Sequence, residues 1–181
     1  LTIILRFTLY IFKGLHYAFI VAVLAERSQS TYHLIALIIA LFLIAYTYKH
    51  TPIKKVTYTF SDALNVVFVL LGALATFALS VETSLNTVFV ASALGLLGAF
   101  IPKHKLFKEA PAALYCGTFI GMTSTLVANG YLFIAFAGAL GGLVYIIAKP
   151  FLNGFGGKLG TIAFGGVAFA TLFIYFTNLV Y

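Results

Sequence analysis

Charge placement constrains this chain more than any other feature. Of its eleven Lys and Arg residues, eight sit in three short gaps between long apolar runs: Lys49, Lys54 and Lys55; Lys103, Lys105 and Lys108; Lys149 and Lys158. The alternate gaps carry Glu26 and Arg27, then Glu82, then only Asn129-Gly130. Apolar runs with basic residues at every second bend are the pattern of a polytopic membrane protein whose positive loops stay on the cytoplasmic side.

Composition supports the same class. Apolar residues make up 62% of the chain and charged residues 8%, against about 45–50% and 25% in a soluble domain. Eleven cations and four acids are too few to cover a water-exposed surface. The net charge of +7 does not imply nucleic acid, because the basic residues lie at run boundaries and form no long block. They read as topogenic charge with some attraction to anionic headgroups. Cys116 is the sole cysteine, which excludes an internal disulfide and a multi-cysteine metal cluster. The first run lacks a short apolar core ending at a small-x-small site, the mark of a cleavable signal peptide. The first residue is Leu1, not Met, which leaves room for an N-terminal extension.

A spanning helix needs about 20 mainly apolar residues. Seven runs qualify or nearly qualify: Leu1–Ala25, Tyr32–Tyr48, Asp62–Ser80, Asn86–Ile101, Pro111–Ala128, Tyr131–Ala148 and Leu159–Val180. They are continuously apolar and do not alternate, so helices are expected and a closed barrel is not. The expected fold is all-α: a polytopic transmembrane bundle of about seven helices, one integral membrane domain over residues 1–181. The basic bends place the N-terminus in the cytoplasm and the C-terminus outside, in a cell membrane of the bacterial inner type. Pro52, Pro102, Pro111 and Pro150 fall at or near run ends, where a missing N–H costs least. Asn129-Gly130 reads as a two-residue turn. Ala93-Leu94-Gly95 with Gly117-Thr118, and Ala139-Leu140-Gly141 with Gly160-Thr161, outline a candidate helix-hairpin repeat of the kind transporters use.

Four groups of residues could carry function. Gly117 and Gly121, and again Gly138 and Gly142, are four apart, a spacing that lets membrane helices approach closely. The segment Asn153 to Thr161 places Gly156, Gly157 and Lys158 before the last run, where a helix N-terminus favours an anion; the glycine spacing does not make a Walker A loop. Thr123, Ser124 and Thr125, with Tyr115 and Thr118 before them, offer hydroxyls inside the fifth run. Lys13 and His16 lie in the first run; Lys13 falls about 18 Å along a helix starting at Leu1, near mid-bilayer, unless an N-terminal extension shifts its depth or the stretch up to Lys13 lies in the interface as an amphipathic helix. The acids Asp62, Glu82 and Glu109 all sit at run ends, so no pair of inward-facing carboxylates stands out. The His residues show no metal-ligand spacing, and no catalytic constellation is visible.

These features predict no enzyme, no cofactor and no metal. They predict a channel or secondary transporter for a small polar solute or inorganic ion, an anion or neutral solute before a cation, with its path between the Gly-rich helices. A non-transporting subunit or assembly partner of a larger membrane complex is the competing expectation, and a membrane-embedded lipid enzyme a weaker one. The expected partners are the lipid bilayer, the solute, and a second copy or a membrane complex.

Overall fold

A computed structural model describes residues 2–25, 30–50, 54–102, 104–151 and 157–180, with side chains from residue 6 to residue 177 of those stretches. Among the described residues there are seven α-helices and no strand. They are α1 (Thr2–Ala25), α2 (Thr31–His50), α3 (Phe60–Glu82), α4 (Thr87–Gly98), α5 (Ala110–Gly121), α6 (Tyr131–Ile147) and α7 (Lys158–Val180), with a single 3-10 turn at Lys105–Phe107. Four are long and apolar enough to cross a membrane: α1 from Arg6, α2, α3, and α7 as far as Thr177. At 1.5 Å per residue, the 12-residue α4 and α5 reach only about 18 Å, short of a hydrocarbon core of about 30 Å. The seven runs thus correspond to seven helices, of which four have the length and composition to cross a membrane and α4, α5 and α6 are shorter.

The largest departure is in the fifth run. Its helix ends at Gly121, and Thr123, Ser124 and Thr125 lie beyond it. The cause is local competition for the backbone. Thr123 Oγ1 donates to Ile120 O (2.6 Å), Leu126 N donates to Ser124 Oγ (3.2 Å), and the amides of Val127 and Ala128 both turn back to Ser124 O (2.9 Å each). These bonds make a turn that replaces the next helical rung. The link to α6 is correspondingly longer than a two-residue turn. It closes at Gly130, whose φ of 128° is open to glycine and costly for other residues.

The described residues form two compact units. The first comprises residues up to Lys55 together with the segment from Pro150 to Phe155, of which Pro150 and Phe151 are described. Within it His16 Nδ1 and the Tyr48 hydroxyl are 3.2 Å apart, Phe12 packs on Phe151 with ring centroids 6.1 Å apart, and Lys54 N donates to Pro150 O at 2.8 Å. Most of α2 is exposed apolar surface, including Ile35, Ile38, Ile39, Phe42 and Leu43. A helix apolar on every face needs hydrocarbon or protein around it.

The second unit runs from Val56 to Lys149 and from Gly156 onward. Its hub is α3, which packs on α5 and α6; α7 covers α6 and α5, and α4 lies on α5 and α3. α3 starts where Thr59 N donates to Asp62 Oδ2 at 2.7 Å, the carboxylate half of a capping box. α4 starts where Asn86 Oδ1 accepts from Val88 N at 2.9 Å. Glycines set the spacing. A Cβ on Gly117 would run into Val69 O, and one on Gly121 into Ala73 O, both backbone atoms of α3. A Cβ on Gly142 would lie 2.6 Å from Val66 Cγ1, and one on Gly166 2.7 Å from the Cα of Gly141. Close approach of this kind is how membrane helices gain van der Waals contact without a hydrophobic drive. The proposed repeat pairs unlike elements, since α4 and α5 are 12 residues each while α6 has 17 and α7 has 23.

Candidate functional site

Four polar residues of α3 form one stripe. At 3.6 residues per turn, Asp62, Asn65, Thr76 and Ser80 fall within about 60° of one another around the helix axis. Asp62, Asn65 and Thr76 are 4%, 2% and 0% exposed, although each is the kind of residue that lies outside in a water-soluble protein. The face is shared with Val69 and Ala73, which meet the glycines of α5.

At the N-terminal end of the stripe the buried charge is compensated. Lys149 Nζ lies 2.5 Å from Asp62 Oδ1 and 3.7 Å from Glu109 Oε1. Asn65 Nδ2 donates to Glu109 Oε2 at 3.4 Å. Three helix ends supply these groups: the first turn of α3, the N-cap of α5 and the residues just after α6. Burial alone would lower the Lys149 ammonium; the hydrogen bond and charge of Asp62, with the charge of Glu109, outweigh it and hold the group above its ordinary value. Both acids lie at helix ends as expected, yet Asp62 and Glu109 converge on one lysine. Lys158, in the first turn of α7, lies in the field of Glu109 and Lys149. The carboxylate there offsets part of the positive potential expected at that helix N-terminus.

At the far end of α3 a pocket of about 500 Å³ opens beside Ser80 and Phe77, lined also by Gly121, Thr123, Ser124 and Thr125. The three hydroxyl residues of the fifth run therefore do gather, on a turn and not on a helix. Between pocket and ion pairs, three buried side-chain atoms have no hydrogen-bond partner among the described residues: Asn65 Oδ1, Thr76 Oγ1 and Ser80 Oγ. A buried polar atom left unpaired costs about 1–3 kcal/mol, so each is a position that a water or a polar solute would relieve.

The other expected residues are dispersed. Thr118 is fully buried but donates to Tyr115 O at 2.8 Å, within its own helix. Tyr115 packs against Phe119 with tilted rings, centroids 4.8 Å apart, and its ring fills the space over Gly95. Lys13 and His16 belong to the first unit. Gly157 has a φ of 83° with open space around its Cα. Asn153 and Gly156 lie outside the described residues. Gly138 packs on Leu70 and Ala73, so Gly117, Gly121, Gly138 and Gly142 all face α3.

Sequence reading passed over Asn65, Thr76 and Ser80. Their signal was present as polar residues at helical spacing in a run that is otherwise apolar. The convergence of Asp62, Glu109 and Lys149 had no local signal, since it depends on how α3, α5 and α6 pack. No protein-family profile, curated protein or solved structure matches this chain, so the site stands on its own geometry.

Proposed function

We propose that the chain is a multi-pass membrane protein that passes a small polar solute or inorganic ion, as a channel or secondary transporter. The proposed path follows the polar stripe of α3, from the hydroxyl pocket at Ser80 and Thr123–Thr125 to the Asp62–Lys149–Glu109 cluster. The supporting observation is the row of buried, unpartnered atoms, Asn65 Oδ1, Thr76 Oγ1 and Ser80 Oγ, which span about 22 Å of helix. A solidly packed helix interface would pair or exclude such groups. Hydroxyl and amide lining favours a neutral solute or an anion over a desolvated metal cation, which needs several oxygen ligands converging on one point. The glycine contacts keep the path narrow, and the ion pairs close one end in this conformation. The basic bends put that end in the cytoplasm.

The test is flux into vesicles containing the purified chain, scanned over small neutral solutes and inorganic anions. Asn65→Leu and Thr76→Val remove the lining groups at nearly constant volume and should abolish flux without unfolding the protein. Full flux in both variants would exclude this path. No flux of any solute from correctly folded protein would favour the complex-subunit reading.

A further inference from the structure

The first unit holds a second polar feature that transport along α3 does not use. A pocket of about 520 Å³ lies between α1 and α2, lined by Arg6, Lys13 and Lys49 and by the rings of Tyr10, Tyr17 and Tyr48. None of its lining residues is acidic. Both ion pairs among the described residues are made by Lys149, so Arg6, Lys13 and Lys49 form no ion pair among those residues. Lys13 Nζ rests 5.6 Å from the centroid of the Tyr17 ring, a weak partner that an oxyanion would outcompete.

Lys49 stands in the last turn of α2, and Arg6 opens the long apolar stretch of α1, so the pocket reaches the ends of both helices. At 20 residues α2 just spans a hydrocarbon core of about 30 Å, which puts Lys49 at the level of the headgroups. Three cations and three tyrosines around a pocket that opens there match the residue types that meet phospholipid headgroups. Three like charges left unneutralised around one cavity repel one another, and a bound phosphate removes that repulsion. The volume lies within the range of small-ligand sites and suits a glycerophosphate-sized group.

We infer that this pocket is a phosphate-recognition site, in which Arg6, Lys13 and Lys49 hold the oxyanion of an anionic phospholipid headgroup or of free phosphate. The inference rests on the membrane placement proposed above and is independent of transport. Calorimetric titration of the full chain in detergent tests it, using dihexanoyl-phosphatidylglycerol, dihexanoyl-phosphatidylcholine and inorganic phosphate as probes. The phosphatidylglycerol should bind at least about tenfold more tightly than the phosphatidylcholine, whose headgroup carries no net charge. The double variant Lys13→Met, Lys49→Met should lose about tenfold or more of that affinity, while Lys13→Arg should retain it to within about threefold. Competition by inorganic phosphate at equal concentration assigns the site to the free anion; its failure to compete assigns it to lipid. Equal binding of the two lipids, or a folded double variant that binds phosphatidylglycerol like the wild type, overturns the inference. The lipid contrast needs no variant, so misfolding of the double variant leaves the test intact. A chain that stays monodisperse without detergent would instead overturn the membrane placement.

Discussion

Helices α2 and α3 look alike in the sequence: both are long, apolar and bounded by polar residues. Their surroundings are opposite. Along α2 only Tyr48 is buried; Leu37, Leu41 and Ile44 on its side are half-buried, and Ile35, Ile38, Ile39, Phe42 and Leu43 are exposed. Along α3 the buried set is Asp62, Asn65, Val69, Gly72, Ala73, Thr76 and Phe77, while Val67 and Leu71 are exposed. α3 is thus partly inverted relative to a helix of a water-soluble protein, with polar and small residues inside beside Val69 and Phe77, and Val67 and Leu71 outside. Hydropathy alone cannot tell a helix with a largely exposed apolar surface from one that carries a buried polar stripe. What separates them is which positions recur at 3.6-residue spacing, and which of those are small or polar.

The same contrast orders the expected effects of mutation. The largest belongs to the second unit. Gly117→Val drives a side chain into the backbone carbonyl of Val69 and should cost about 3 kcal/mol or more, seen as a large drop in the unfolding midpoint in detergent. Gly14 in α1 has nothing within 4 Å of its Cβ position, so Gly14→Ala should be neutral or slightly stabilising. Comparable losses at the two glycines would break the comparison.

The next effect concerns charge. Lys149→Met leaves the buried Asp62 carboxylate without its cation and should cost about 1.5–3 kcal/mol. Adding Asp62→Asn to that variant should recover part of the loss, which a double-mutant cycle reads directly. Lys13→Met breaks no ion pair and should change stability by no more than about 0.5 kcal/mol. In the first unit the corresponding specific bond is between Tyr48 and His16, and Tyr48→Phe should cost about 0.5–1.5 kcal/mol. The smallest effect is in pH. Because the folded chain holds the Lys149 ammonium above its ordinary value, the stability it contributes is fully present below about pH 10.4 and is lost as pH rises through the folded value. An alkaline unfolding profile should show this loss in the wild type and not in Lys149→Met.

Much of the helical layout was legible in the sequence. The third, sixth and seventh runs predict α3, α6 and α7 to within two residues at each end, because long apolar segments leave the backbone little choice in hydrocarbon. The Gly117/Gly121 and Gly138/Gly142 spacings marked faces that turn out to meet α3. Thr123–Thr125 misled because their mean hydropathy hides the backbone bonds that end α5. Lys13 was visible as a cation in an apolar run, but its place with Lys49 around one pocket was not, since that depends on how α1 and α2 pack. Asp62 and Glu109 were visible as acids at run ends, but their joint partner is Lys149, 87 residues from Asp62 in the chain. No local pattern encodes a contact at that separation.

The central claim is that the buried polar stripe of α3 is reached by small polar molecules. The direct measurement is alkylation by a small water-soluble thiol reagent of Ser80→Cys and Thr76→Cys, each in a Cys116→Ser background, with the protein in vesicles. Cys116 in the unaltered chain is fully buried with its thiol bonded to Leu159 O and serves as the unreactive reference. The account predicts modification at both positions, faster at Ser80 beside the pocket and slower at Thr76 deeper in. Modification at Ser80 with none at Thr76, under conditions where the variants remain folded, would contradict it.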